Sequence, residues 1–192
     1  MPETKPKSGL ASLVARPLLA GAIAAGAATP TSAVADVFLD LTGIQGDSTD
    51  AKHKNQIDVL TYTQSFKNTV SGSSGGGGGA GKVTCGDVTV TKNIDKSSPL
   101  LIQAVTTGKH IDKAVLTFRQ VGGQQLNYYV VTLQDVLITS ITQADQNNPA
   151  RIFEQVQLSA ADFKFKFTPQ LPNGSAGTPV SFEFNCAANK AE

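Results

Sequence analysis

The chain has 192 residues, enough for one domain of ordinary size and too few for two comfortable ones. Its 16 Lys and Arg against 15 Asp and Glu leave a net charge of +1 with the basic residues scattered, which excludes the basic stripe that nucleic-acid binding requires. Hydrophobic residues make up 40% and charged residues only 16%, so a packed core must sit beneath a surface solvated mainly by neutral polar groups.

The first 35 residues read as a secretory signal. Lys5, Lys7 and Arg16 precede the apolar run PLLAGAIAAGAA (17–28), and Ala33-Val34-Ala35 supplies the A-x-A ending. The run is shorter than the roughly 20 residues needed to span a bilayer. Cleavage is expected between Ala35 and Asp36, leaving a domain of residues 36–192 outside the cytoplasm with no lasting membrane insertion. The alternative is a disordered Ala-rich tail.

Period-two alternation dominates the chain beyond residue 35. Residues 57–66 are rich in β-branched and aromatic side chains, and 82–91 shift phase at Gly86, where a bulge is expected. Between them, SGSSGGGGGAG (71–81) is a flexible loop. It does not cradle phosphate, because Lys82 is followed by Val83 and leads into a strand rather than a helix. A helix is expected from Ser98, with Ser98 as cap, Pro99 in the first turn, Leu100, Leu101, Ala104 and Val105 on one face, and Gly108 closing it.

Strands then recur at 113–121 and 126–142, joined by the hairpin turn VGGQQ (121–125), with a bend expected near Gln134-Asp135, where the apolar phase changes. After a polar excursion at 143–150 come 151–158, then DFKFKF (162–167) with Phe163, Phe165 and Phe167 opposite Lys164 and Lys166. The last strand, 180–186, sets Val180, Phe182, Phe184 and Cys186 against Ser181, Glu183 and Asn185. About eight strands and one short helix predict an all-β fold, a small closed or nearly closed β-barrel flanked by that helix. Segments 59–66 and 128–138 carry apolar residues on both faces, more than one small barrel buries inward.

Chemistry is scarce. Cys85 and Cys186 form an even count in an exported chain and read as one disulfide, against the alternative of two independent buried thiols. No C-x-x-C or Cys/His cluster suggests zinc. His53 lies in a polar surface segment and His110 comes just after the helix, both read as solvated and neither beside a nucleophile motif. Glu154 and Glu183 are read as outward, solvated carboxylates rather than a glycosidase pair. No catalytic, cofactor-binding or metal-binding residue is expected, and the protein is read as not an enzyme.

In order and spacing, residues 39–63, 95–123 and 128–143 resemble the Hcp (haemolysin-coregulated) tube proteins of type VI secretion. The resemblance rests on Gly43, Gly46, Ser48, the His53–Asp58 stretch, DKSSP at the helix opening and TGKHI after it, with 154–170 similar to the strand pair that ends the family's barrel. It implies a small barrel with a flanking helix, six copies closing into a ring, rings stacking into a tube, and no catalytic residues or cofactors. Its partners would be further copies of itself, and a secreted effector or other tube components. Three features depart from the family: the leader, the Gly-rich insertion at 71–81 and the cysteine pair. Two readings stand beside that of an exported ring-forming subunit. One is a secreted module binding cargo, a peptide or an effector as monomer or single ring; the other is an ordinary tube subunit whose true start lies downstream of Met1.

Overall fold

The computed structural model describes residues 35–69, 81–121, 125–145 and 152–191. The expected leader up to residue 34, most of the Gly-rich stretch, the centre of the 121–125 turn and much of 143–150 lie outside the described residues.

The described chain forms eleven strands and one helix. In order they are β1 (Ala35–Leu41), β2 (Ile57–Val59), β3 (Thr61–Thr63), β4 (Phe66–Asn68), β5 (Val83–Cys85), β6 (Val88–Asn93), α1 (Ser98–Thr107), β7 (His110–Gln120), β8 (Leu126–Ala144), β9 (Phe153–Phe167), β10 (Val180–Asn185) and β11 (Lys190–Ala191). All pairings are antiparallel. β2 pairs with β1, β1 with β7, β7 with β8 and β8 with β9.

β9 is long enough to serve two partners. Its first half, Phe153–Leu158, pairs with β6, and its second, Asp162–Phe167, pairs with β10. β6 in turn pairs with β3. Since β2 and β3 are consecutive, the chain itself carries the wall from the β6 side back to β1. No ladder joins β2 to β3, so the hydrogen-bonded sheet is not closed there. The gap is the single residue Leu60, whose N–H donates to the Thr91 carbonyl at 2.7 Å. β4 and β5 pair only with each other, as a separate two-stranded sheet.

The interior is built from one parity of each strand. Leu39, Ile57, Val88, Val90, Leu116, Val131, Leu133, Val156, Leu158 and Phe163 are all buried. The expected change of phase in the long strand falls at Asp135. It takes a positive φ of 50° and is skipped by both neighbouring ladders, so the inward set passes from Val131 and Leu133 to Val136 and Ile138. Gly86 is not the bulge within one strand that the sequence predicts. It separates β5 from β6, which belong to different sheets, and a Cβ there would meet Ser65 Oγ at 2.4 Å.

α1 begins one residue differently from expectation. Ser97, not Ser98, is the N-cap, and its side chain makes no capping bond. Pro99 stands in the first turn and Gly108 ends the helix at φ 63°, as the sequence predicts. Leu101 and Ala104 are buried and Val105 half-buried, but Leu100 is 42% exposed, so the helix meets the barrel along a narrower stripe than expected.

Candidate functional site

Two opposite charges sit inside the barrel wall. Lys92 on β6 has the parity of Val88 and Val90, and Glu154 on β9 has that of Val156 and Leu158. Their side chains are 1% and 0% exposed, with Nζ to Oε2 at 3.0 Å. Lys92 Nζ also lies 2.9 Å from Asp95 Oδ1 and donates to Ser98 Oγ at 3.0 Å. The Ser98 hydroxyl donates to Glu154 Oε2 at 2.9 Å, and Gln143 Nε2 donates to Oε1 at 2.8 Å. Ser98 is therefore withdrawn from capping: its oxygen is used by the ion pair and by the Asp95 N–H. The expectation of a solvated Glu154 is corrected. Glu183 does stand on the outer face, paired with Lys164.

The network reaches the loop before β2. Asp95 Oδ2 accepts the Asp47 N–H, Asp47 Oδ2 accepts the Lys96 N–H, and Lys96 Nζ lies 3.6 Å from Asp47. Burial pushes the Asp95 carboxyl up, but the Ser97 hydroxyl and Lys92 together more than reverse this, leaving it below the ordinary carboxylate value.

A second charged cluster surrounds Arg119 on β7, whose side chain is 5% exposed. Its NH2 donates to Asp36 Oδ2 at 2.8 Å, and NH1 lies 2.7 Å from Asp50 Oδ2. The guanidinium carbon sits 4.8 Å from the Phe38 ring centroid, and the His53 ring stacks on Phe38 at 4.2 Å. The hydrogen bond from Arg119 holds the Asp50 carboxyl below its ordinary range. His53 is thus buried, with Nδ1 2.8 Å from Gln56 Oε1, and the reading of it as a solvated surface histidine is corrected. Aromatic neighbours decided its position, and its polar sequence neighbours concealed it. His110 is exposed and paired with Asp135 at 2.7 Å.

The third feature is an apolar mouth. Inward residues of β8, β9 and β10 run on past the covered part of the core, so the same face that buries Phe163 leaves Phe167, Phe182 and Val180 largely exposed. A cavity of about 440 Å³ opens there, lined by Phe66, Val83, Tyr129, Phe165, Phe182 and Phe184. Phe66 of β4 leans edge-on against Phe163 and Phe165, with ring centroids 5.3 and 5.6 Å apart. Burial raises the Tyr129 phenol, and burial together with the proximity of Tyr129 raises that of Tyr62. Apolar residues of β9 and β10 therefore gather on the inner face at one end, beyond the covered part of the core.

Cys85 on β5 and Cys186 after β10 are joined beside this mouth, with Cα atoms 6.2 Å apart. Among the described residues, no three His, Cys, Asp or Glu side chains stand where they could hold a metal ion. His53, His110, Glu154 and Glu183 are spread over separate parts of the fold, and nothing brings them to one cleft. The charges that are buried neutralise one another and organise packing.

Known proteins share this architecture. The family profile described as "Type VI secretion system effector, Hcp" matches residues 38–167. Protein hcp1 of Pseudomonas aeruginosa is 38% identical over 156 residues, covering 80% of this chain and 96% of that protein. Among solved structures, "Structure of a type six secretion system protein" superposes with a TM-score of 0.78 at 24% identity, covering 83% of this chain and 100% of the other. Hcp1 from Salmonella typhimurium gives a TM-score of 0.65 at 26% identity, covering 82% and 99%. A type VI secretion system effector from Yersinia pestis gives 0.64 at 27% identity, covering 78% and 99%. A profile match spanning β1 to the end of β9, and a relative aligned along nearly its whole length, establish that the chain belongs to the Hcp family of type VI secretion proteins.

Proposed function

We propose that the protein is an exported, non-catalytic structural subunit whose copies close into a six-membered ring and whose rings stack into a tube or filament. Family membership supports the structural role. The observation that carries the assembly is the distribution of exposed apolar residues along β9. Ile152 and Ile94 are exposed at its start, and Phe167 and Val180 at its end. β9 has 15 residues, so at about 3.4 Å per residue its contour between those ends is at most roughly 50 Å. A monomer that leaves large apolar side chains exposed at both ends of one strand has two separated contact faces. Head-to-tail contact between different faces is what closes rings and extends stacks.

The leader reading belongs to the same proposal. Removal of residues 1–35 would start the mature chain at Asp36, which keeps the Arg119 ion pair, and would place the domain outside the cytoplasm. Further copies of the chain are its partners; a secreted effector is a second class of partner consistent with the family. Light scattering with negative-stain imaging of residues 36–192 across a concentration range tests the assembly. Rings of six are expected. A persistent monomer would sink the proposal and favour the alternative of a secreted binding module, for which the apolar mouth is the specific support.

A further inference from the structure

The β4–β5 hairpin is an attachment to the barrel rather than part of its wall. Its strands hydrogen-bond to each other and to no strand of the large sheet. Three described ties hold it over the mouth. Phe66 rests on Phe163 and Phe165, the Val83 N–H donates to Asn189 Oδ1 at 2.8 Å, and Cys85 is bonded to Cys186. Two of these ties end in the short segment after β10, where the Cys186 N–H is fixed to the Ala161 carbonyl of β9 at 2.8 Å. A three-residue pair of strands is marginal by itself, so its closure depends on these ties.

We propose that the Cys85–Cys186 bond is a redox strap. When formed, it holds the hairpin down over the aromatic mouth; when reduced, it lets the hairpin lift while the barrel stays folded. In the closing step the two thiols lose two protons and two electrons as the S–S bond forms. A disulfide oxidant takes them up and leaves as two thiols; a dithiol reductant reverses the exchange. Lifting the hairpin removes Phe66 and Val83 from the cavity lining and uncovers the rings of Phe163 and Phe165. Resting on the export reading, the consequence is that the hairpin is unstrapped in a reducing cytoplasm and strapped over the mouth after export.

The purified full chain tests this directly. It is oxidised with oxidised glutathione or reduced with dithiothreitol, and hydrogen exchange is followed at β4, β5, β8 and β9 together with fluorescence of a hydrophobic dye. Reduction should raise exchange at 66–68 and 83–85 roughly tenfold or more, increase dye binding, and leave the buried amides of β8 and β9 protected. Unchanged hairpin exchange on reduction would overturn the strap, because the other ties would then suffice. A rise in β8 and β9 as large as that of the hairpin would also overturn it, because the hairpin would then open only when the whole fold does. Oxidised Phe66→Ala should bind more dye yet keep its hairpin amides protected; exchange at the reduced protein's rate would assign closure to Phe66 instead. The thiol state of chain recovered from outside the cell tests the export reading separately. Free thiols there would defeat the compartment dependence without touching the exchange result.

Discussion

Lys92 and Glu154 meet inside the barrel at 3.0 Å, each nearly or wholly sealed from water, and the opening of α1 is pinned to them through Ser98. Removing Lys92 leaves Glu154 as an uncompensated buried charge, whereas removing Glu154 leaves Lys92 paired with Asp95. Lys92→Met alone is expected to cost about 3–5 kcal/mol, while Lys92→Met with Glu154→Leu should recover most of that loss. Urea denaturation of the two variants measures this. Equal losses in the single and double variants would show that packing volume, not charge, matters at this site.

Arg119 ties β1 to the loop before β2 through Asp36 and Asp50. If the leader is cleaved between Ala35 and Asp36, the mature chain loses only the first pair of the β1–β7 ladder, Ala35 with Gln120, and keeps the ion pair. Intact mass of the exported protein should therefore give an N-terminus at Asp36. Retention of Leu18–Ala28 in the mature chain would refute cleavage. Asp36→Ala should weaken the domain by about 1–3 kcal/mol by leaving part of a buried guanidinium unpaired.

Strand alternation, the helix stop at Gly108 and the phase change at Asp135 were legible because each is a local property: a period, a left-handed cap, a ladder skipped by one residue. The buried ion pair was also written in the sequence. Lys92 shares the parity of Val88 and Val90, and Glu154 that of Val156 and Leu158, yet a charge at an inward position is easily assigned outward when its partner lies 62 residues away. His53 was harder. Its burial depends on a ring 15 positions earlier and on Arg119 much later, contacts that no local pattern encodes. The unclosed join at Leu60 likewise depends on where β2, paired with β1, comes beside β6.

Acid should loosen the loop and the helix opening first. Asp50 and Asp95 both have folded values below their ordinary 3.8. Folding therefore favours their charged forms, and the stability they contribute is fully present above about pH 3.8 and is lost as pH falls through the lower folded values. Stability measured by denaturant from pH 5 to 2 should hold near pH 5 and decline below about pH 3.8. Asp95→Asn and Asp50→Asn should each flatten the decline; an unchanged pH slope in both would remove these carboxylates from the account.

The cysteine bond closes a loop with a sequence separation of 101, for which chain entropy alone gives roughly 4.7 kcal/mol, an upper figure because measured gains are often smaller. Titration of the exported protein with a thiol reagent in denaturant should find no free thiol. Two reactive thiols would remove the bond. Cys85→Ser with Cys186→Ser should lower the denaturation midpoint while retaining the far-ultraviolet spectrum of the β fold.

The most exposed apolar residue of the barrel mouth, Val180, stands directly opposite Phe167 on β9, and both lie at the end farthest from Ile94 and Ile152. If that end is a contact face between copies, a charge placed there should disrupt association without unfolding the monomer. Val180 is 69% exposed, so Val180→Asp removes little buried area from the fold. In an assembly it would place a carboxylate inside a desolvated apolar contact, a cost of several kcal/mol per interface when unpaired. Because each stack repeats the contact, a modest loss per interface should become a large loss of stacked species. Val180→Asp is therefore expected to retain its denaturation midpoint while stacks seen by negative stain shorten or vanish; Leu100→Asp, on the exposed side of α1, serves as a second probe of whether the helix takes part. Stacks of unchanged length in Val180→Asp would place the contact elsewhere on the barrel.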